Sequence, residues 1–521
     1  WLIGLCLLND YLLDADPDVR PNLREAERTA MACYYRQHAD TTVTVPKFSN
    51  ESSSGGVTYY DIKVRVGKVE WLVERRYRDF ANLHEKLVGE ISISKKLLPP
   101  KKLVGNKQPS FLEQRREQLE IYLQELLIYF RTELPRALAE FLDFNKYDII
   151  YLLQDLAKLF NESGDALLSS KKEYNLSALE VYAISERLSL PCPPSLDRGG
   201  KYDFSHVLDF CTQLVALVVT PVKDNASYAQ DYNTVDVPID RSNIIPNRLS
   251  FNLNAFRNLK TLKFSALSTE NIVDIELLKP TLQTICVHNT TIQNINQVLL
   301  CDNLHKHCDV PSLLPETILA SPSGSGPSTS NGSALVSADA WQEITELDLT
   351  GNLLTQIDGS VRTAPKLRRL ILDQNRIRTV QNLAELPQLQ LLSLSGNLIA
   401  ECVDWHLTMG NLVTLKLAQN KIKTLSGLRK LLSLVNLDLS SNQIEELDEV
   451  NHVANLPLLE TLRLTGNPLA GSVDYRSRVL ARFHERAAEI SLDNEPGNQQ
   501  ELDTALVLSA LLQSKQRQQQ K

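Results

Sequence analysis

The chain has 521 residues and a net charge of −8, with 43% hydrophobic and 23% charged residues. That length exceeds what one hydrophobic core supports and accommodates roughly two to four domains of ordinary soluble composition. Its eight cysteines, Cys6, Cys33, Cys192, Cys211, Cys286, Cys301, Cys308 and Cys402, lie too far apart for a disulfide framework and suit a reducing cytosol.

Residues 1–40 read as irregular. The apolar run at residues 1–8 is too short to span a bilayer, and no basic segment precedes it as in a signal peptide. With no initiating Met, the chain is expected to be a fragment lacking its start. Residues 41–45 alternate like a strand and 52–56 read as a loop. Residues 57–66 and 69–77 form the strands of a hairpin turning at Gly67-Lys68. Residues 79–88 have helical spacing, with Phe80, Leu83 and Leu87 on one face. A loop holding Pro99-Pro100 follows, then an amphipathic helix over 111–130 and a shorter helix over 134–144. Strands followed by helices predict an α+β domain over residues 41–146. This stretch is basic within an acidic chain: from Val57 to Lys146 there are 17 Lys/Arg against 13 Asp/Glu, which suits an anionic ligand such as a phosphate headgroup or nucleic acid.

Residues 147–204 read as a helical spacer, broken at Pro191-Cys192-Pro193-Pro194. From about residue 205 a new period begins. Leu214-x-x-Leu217-x-Val219, Leu259-x-x-Leu262-x-Phe264 and Leu282-x-x-Ile285-x-Val287 mark degenerate repeats over 205–300. Residues 301–340 read as a linker with a Ser/Gly/Pro-rich, disordered insertion at 321–333. Over 341–470 the pattern is complete: apolar-x-x-Leu-x-Leu-x-x-Asn recurs with Asn352, Asn375, Asn397, Asn420, Asn442 and Asn467 spaced 23, 22, 23, 22 and 25 residues apart. This period predicts a leucine-rich-repeat solenoid, in which each unit buries its leucines only against its neighbours. The asparagine is the turn residue, and its amide can satisfy backbone groups left open at the strand end. Residues 471–495, containing Asp474-Tyr475-Arg476 and a last strand at Ile490 and Leu492, read as a terminal cap. Residues 496–521 read as a helical tail that looks truncated.

Three basic motifs mark the α+β domain: Arg75-Arg76-Tyr77-Arg78-Asp79-Phe80, Leu98-Pro99-Pro100-Lys101-Lys102 and Arg115-Arg116-x-x-Leu119-x-x-Tyr122-Leu123. Guanidinium groups bind phosphate oxygens through charge-assisted, bidentate hydrogen bonds, and an aromatic face can floor a sugar ring. In this order, across residues 40–146, the motifs resemble the phox-homology (PX) family. The resemblance implies that Arg76 meets the 3-phosphate of phosphatidylinositol 3-phosphate, assisted by Arg78, while Tyr77 underlies the inositol. It further implies that Lys102 meets the 1-phosphate and Arg115 the ring hydroxyls. Leu103 and Val104 would dip into the membrane interface, with Lys101 and Lys107 against anionic lipid.

The whole arrangement is multidomain: an α+β PX domain, a helical spacer and an α/β leucine-rich-repeat solenoid. It resembles the amino-terminal half of the nischarin family. That resemblance implies a cytosolic, endosomal protein associated with an integrin alpha-subunit tail, with Rac and p21-activated kinase signalling in cell migration, and with Rab proteins.

Within the solenoid, the positions between leucines are expected on the concave face: Glu346, Asp348, Arg369, Ile371, Leu391, Ser393, Thr414, Lys416, Asn436, Asp438, Thr461 and Arg463. Their mixed charge fits a protein partner better than nucleic acid; Arg369, Lys416, Asp438 and Arg463 are the candidate contacts. No cofactor or metal site is expected. Cys301 and Cys308 enclose His305 and His307, but the spacing fits no common zinc site, and these read as exposed loop residues. No P-loop, dinucleotide fingerprint or nucleophile elbow occurs, so the chain is not read as an enzyme. Two other functions fit the sequence: a soluble scaffold whose PX-like domain binds protein, and a regulatory subunit of a kinase or phosphatase.

Overall fold

The computed structural model describes residues 30–50, 57–91, 93–101, 108–131, 134–170, 173–190, 204–222, 237–301, 340–403 and 405–519. The expected loop at 52–56, the Pro-rich break at 191–194 and the insertion at 321–333 lie outside them. The chain divides into two compact units. One holds residues up to Lys172, Leu176–Leu214 and Pro221–Ala255; the other holds Glu173–Asn175, Val215–Thr220 and Phe256–Lys521.

In the first unit, helix α1 (Tyr34–Gln37) precedes an antiparallel sheet of β1 (Thr41–Asn50), β2 (Thr58–Val66) and β3 (Val69–Arg76). Val64 on β2 and Val69, Trp71 and Val73 on β3 alternate into the core as the period of two requires. Helices α2 (Tyr77–Ile91), α3 (Pro109–Tyr129), α4 (Arg136–Phe141), α5 (Phe144–Tyr147) and α6 (Ile149–Ser169) follow. The expected single helix over 134–144 is thus two, because Asp143 adopts a left-handed backbone (φ 57°) between α4 and α5. The core is aromatic: Trp71 packs edge-on to Phe144 at 5.1 Å and its indole N–H donates to the Leu142 carbonyl at 2.8 Å.

Both edges of this sheet are covered. A bulge between Thr44 and Lys47, at Pro46, interrupts β1. Helix α3 supplies the missing partners: Glu120 accepts the Val45 N–H (2.7 Å) and Arg116 donates to the Val45 carbonyl (2.6 Å). On the other side, Leu72 N–H donates to the Arg241 carbonyl and Asn243 N–H donates to the Glu70 carbonyl, both at 3.0 Å. Residues 241–243, expected among degenerate repeats, therefore pair with β3 instead and blunt an edge that would otherwise invite another chain.

The strand β4 (Tyr174–Ser177) falls inside the stretch expected to be helical, ahead of α7 (Ala178–Ser189) and α8 (Ser205–Gln213). Ser177 and Glu180 form a reciprocal capping box that ends this strand and starts α7.

The second unit carries the solenoid sheet, whose order from β4 to β15 follows the sequence. Its strands are β5 (Ala216–Thr220), β6 (Thr261–Ser265), β7 (Thr284–His288), β8 (Glu346–Asp348), β9 (Arg369–Ile371), β10 (Leu391–Ser393), β11 (Thr414–Lys416), β12 (Asn436–Asp438), β13 (Thr461–Arg463), β14 (Ser491–Leu492) and β15 (Glu495–Pro496). From β5 to β14 the pairing is parallel and in register; β15 turns back antiparallel. Leu347, Leu370, Leu392, Leu415, Leu437 and Leu462 occupy one buried row across β8 to β13.

At each corner the asparagine is buried and fully used. The Asn397 amide donates to the Leu372 and Leu394 carbonyls (2.9 and 3.0 Å) and its Oδ1 accepts the Ile377 N–H at 2.9 Å. Asn375, Asn420, Asn442 and Asn467 repeat the arrangement one coil along. The residue before each asparagine takes a positive φ, as at Gly351, Gln374 and Gly396. The earlier coils keep that bend at Ala266 and Asn289 but place Leu267 and Thr290 where the asparagine would stand.

Helices α9 (Asn296–Leu299) and α10 (Asn451–Ala454) lie in the segments that connect successive strands, and α11 (Tyr475–Leu480) and α12 (Gln499–Gln519) follow the last repeat. Asp493 accepts the Leu464 and Thr465 N–H groups and the Tyr475 hydroxyl, and Arg476 pairs with Glu501 at 2.7 Å. These bonds cover backbone that a further repeat would otherwise have covered. Cys301, expected in an exposed loop, is buried, and Cys308, His305 and His307 lie outside the described residues.

Asn397→Ala leaves the buried Ile377 N–H without its acceptor and takes one of two amide donors from each of the Leu372 and Leu394 carbonyls, which keep Asn375 and Asn420; it is expected to cost about 2 kcal/mol, whereas the exposed Asn411→Ala costs less than about 0.5 kcal/mol in the same equilibrium denaturation experiment. A second prediction concerns Asp148, which is wholly buried, caps α6 through Ile150 and accepts the Tyr34 N–H. Burial pushes its carboxyl up to about 7 against the pull of the backbone donors of Tyr34, Ile150 and Tyr151. The folded chain then holds a proton that the unfolded chain has released, so stability falls as pH rises from about 4 to about 7. Urea unfolding at several pH values is expected to show this slope, and Asp148→Ala to reduce it.

Candidate functional site

The site is assembled where β3 passes into α2 and faces the start of α3. Strand alternation separates the two arginines that end β3. Arg75 is a structural clasp, donating to the Phe141 carbonyl (3.0 Å) and to Asp143 (2.7 Å). Arg76 is half-buried and makes one ion pair among the described residues, its Nε to Asp79 Oδ1 at 3.3 Å. Asp79 also accepts the Arg76 backbone N–H at 3.0 Å, so a carboxylate in the first turn of α2 satisfies an open donor there.

Helical spacing separates the second pair. Arg116 turns toward β1 and pairs with Glu113, Glu117 and Glu120. Arg115 lies on the buried stripe between Leu112 and Leu119, and only 7% of it is exposed. Its guanidinium is sandwiched between the rings of Tyr77 and Phe111, 4.3 Å from each centroid. Its Nη2 and the Tyr60 hydroxyl are both buried and interact with each other, but without well-formed hydrogen-bond geometry and with no other partner among the described residues. Burial pushes the Tyr60 phenol up, and the Arg115 charge opposes that rise. Tyr77 is likewise pushed up by burial against Arg115, and its hydroxyl donates to the Pro99 carbonyl. That bond fixes the start of the Pro-rich loop beside the ring.

The structure therefore brings Tyr77 and Arg115 into contact and holds Arg76 at the adjoining residue of the chain. Arg78 and Lys101 are exposed. Lys102, Leu103, Val104 and Lys107 lie outside the described residues. Phe111, Tyr60 and Asp79 were missed by sequence reasoning. An arginine at a core position of an otherwise apolar helical stripe was the available signal for a special environment around Arg115.

On the solenoid, Arg369, Lys416, Asp438 and Arg463 stand on neighbouring strands. Three of them are spent on lateral pairs: Asp438 with Arg463 at 3.2 Å, and Arg369 with Glu346 at 3.5 Å. Lys416 is exposed, while Ser393 is buried and donates to Asp373. Among the described residues no helix is long and apolar enough to cross a membrane.

Comparison with known proteins assigns both parts. Residues 64–145 match the PX domain family and residues 342–399 the leucine rich repeat family. Sorting nexin-24 of Rattus norvegicus is 38% identical over 103 residues, 19% of this chain and 59% of that protein. The serine/threonine-protein kinase Sgk3 of Rattus norvegicus is 37% identical over 73 residues, 14% of this chain and 15% of the kinase. A designed CISK-PX domain is 34% identical, covering 19% of this chain and 97% of that one, with a TM-score of 0.18. An internalin (inlF) of Listeria monocytogenes is 16% identical, covering 51% of this chain and 65% of that one, with a TM-score of 0.31. The chain spans 59% of the length of the sorting nexins it matches. It contains a PX domain followed by leucine-rich repeats, both binding modules rather than catalytic ones.

Arg115→Met tests whether the buried charge serves the fold or a ligand. Removing an unpartnered buried guanidinium relieves its desolvation cost and loses about 1 kcal/mol of ring stacking. Thermal unfolding of the ligand-free protein is expected to be unchanged or slightly raised; a loss exceeding about 2 kcal/mol would assign Arg115 a structural role.

Proposed function

We propose that the chain is a peripheral membrane adaptor whose PX domain binds phosphatidylinositol 3-phosphate and whose leucine-rich repeats hold protein partners. The observation that carries this reading is the Arg115 guanidinium, buried between two aromatic rings with Nη2 unsatisfied. A buried cationic donor without a partner is costly, and an anionic or hydroxyl-rich ligand removes the cost. In this reading Arg76 and Arg78 take the 3-phosphate, Tyr77 lies beneath the inositol, and Arg115 takes the ring hydroxyls. Because one face of Tyr77 is stacked on Arg115, the ring and the guanidinium act as one platform. Lys102 takes the 1-phosphate, while Lys101, Leu103, Val104 and Lys107 meet the bilayer.

Likeness to a sorting nexin supports a peripheral, endosomal address. The resemblance to the nischarin family extends the proposal to its partners: an integrin alpha-subunit tail, Rac and p21-activated kinase, and Rab proteins, with restraint of cell migration as the outcome. We assign these partners to the solenoid face carrying Arg369, Lys416, Asp438 and Arg463. Simultaneous binding of lipid and protein raises avidity without new contacts.

Co-sedimentation of the full chain with liposomes carrying each phosphoinositide in turn tests the lipid site. Binding is expected to select the 3-phosphate lipid, to weaken with salt, and to fall by about 30-fold in Arg76→Ala, the loss of one charge-assisted phosphate contact. Equal binding to all phosphoinositides, or no effect of Arg76→Ala, would overturn the lipid reading and leave a PX-like domain that binds protein.

A further inference from the structure

The strand pair β7–β8 places a cysteine, a histidine and an aspartate together on the concave side of the sheet. Cys286 and Asp348 are register partners, and His288 lies two residues along β7 from Cys286, on the same face. One potential ligand atom from each, the Cys286 sulfur, a His288 ring nitrogen and an Asp348 oxygen, lies within 4.8 Å of the other two. Cys286 is buried, and the other two are half-buried.

The His288–Asp348 contact is informative. His288 Nε2 stands 3.1 Å from Asp348 Oδ2, an ion-pair contact that falls short of good hydrogen-bond geometry, and the nitrogen is buried with no other partner among the described residues. The two atoms approach without the alignment that sharing a proton requires. With the Cys286 sulfur within 4.8 Å of both atoms, the three are spaced closely enough to share one cation. The other oxygen, Asp348 Oδ1, is held by the Thr350 N–H at 3.1 Å and the Thr350 hydroxyl at 2.6 Å. That support fixes the carboxylate and leaves Oδ2 turned toward the histidine, as second-shell hydrogen bonds do at metal sites. The neighbouring cation, Lys263, is neutralised by Glu173, so it does not oppose a bound metal with a free charge.

We propose that Cys286, His288 and Asp348 form a binding site for a borderline-soft divalent cation, zinc in particular, with a fourth position open on the concave face. A thiolate, an imidazole and a carboxylate are a zinc donor set, whereas calcium and magnesium take oxygen ligands. Zinc bonded at about 2.0–2.3 Å in a tetrahedron sets its ligand atoms roughly 3.3–3.8 Å apart, which lies between the 3.1 Å His288–Asp348 contact and the 4.8 Å that bounds all three separations. The site has a structural use. β7 and β8 are joined through residues 289–345, and their pairing brings together positions 62 apart in sequence, as in the Thr345 to Gln283 hydrogen bond. Ligands on both strands close that long connection with a metal clip.

The test is titration of the full, reduced chain with cobalt(II), followed by displacement with zinc. One equivalent of cobalt is expected to produce a thiolate-to-cobalt charge-transfer band that zinc abolishes. Cys286→Ala removes the band, and His288→Gln weakens zinc binding more than about 100-fold; Thr350→Val, which removes the hydroxyl bond to the carboxylate and leaves the backbone N–H, weakens it up to about 10-fold. His288→Gln and Thr350→Val keep the reading interpretable if Cys286→Ala fails to fold. No charge-transfer band in the unsubstituted chain would overturn the proposal. So would a band that survives Cys286→Ala but disappears in Cys308→Ala, or zinc affinity unchanged by His288→Gln.

Discussion

A solenoid turns its backbone into its own interior at the end of every strand, where water cannot reach the peptide groups. The asparagine amides answer that constraint, each donating to carbonyls of its own coil and of the coil before, and accepting an N–H from the coil before. Each side chain therefore does two things at once: it satisfies its own corner and it sets the distance and register to its neighbour. The parallel strands, the buried row of leucines and the order of residues along the concave face follow from that spacing. Where the asparagine is absent, at Leu267 and Thr290, the left-handed bend persists and apolar packing or a threonine hydroxyl takes over. The stack ends where Asp493 and Arg476 supply by side chain what the next coil would have supplied by backbone.

In the first unit the same demand is left unmet at a few buried atoms, among them the Tyr60 hydroxyl, Asp61 Oδ1 and Arg115 Nη2. Nearly every polar group around the small sheet has a partner: Val45 finds Glu120 and Arg116, and the edge of β3 finds residues 241–243. Arg115 Nη2 does not. Within each basic pair one arginine serves the fold and the other stands at the candidate site. Arg75 and Arg116 close on carbonyls and carboxylates; Arg76 and Arg115 lie beside Tyr77. The division follows from geometry. Adjacent residues of a strand face opposite sides, and adjacent residues of a helix differ by about 100°.

The two modules differ in how their binding surfaces are made. The candidate site of the PX domain is a concentrated one, in which a buried charge and two rings meet. The concave face of the repeats is spread out, and its charges are largely cancelled by lateral pairs such as Asp438 with Arg463. A surface of that kind selects a partner by shape and by the pattern of small charges, since no single pair is strong when exposed. The Cys286–His288–Asp348 cluster is the place on it where a thiol, an imidazole and a carboxylate converge.

What this sequence determined by itself was everything carried by local period. The alternation of Val69, Trp71 and Val73, the helical stripe of Leu112, Leu119 and Leu123, and the spacing of six asparagines specify strands, helices and coils because side-chain direction follows backbone period. The motifs around Arg76 and Arg115 were legible for the same reason, as clusters within single elements. Four features were not. The break at Asp143, the strand at Tyr174–Ser177, the pairing of residues 241–243 with β3 and the convergence of Cys286 and His288 on Asp348 arise from contacts between distant segments or from backbone turns that those contacts impose. A strand edge accepts any segment with free N–H and C=O groups, so the sequence of Arg241–Asn243 carries no mark of its partner. Ligand atoms from separate strands meet only when register is set, and register belongs to the folded stack.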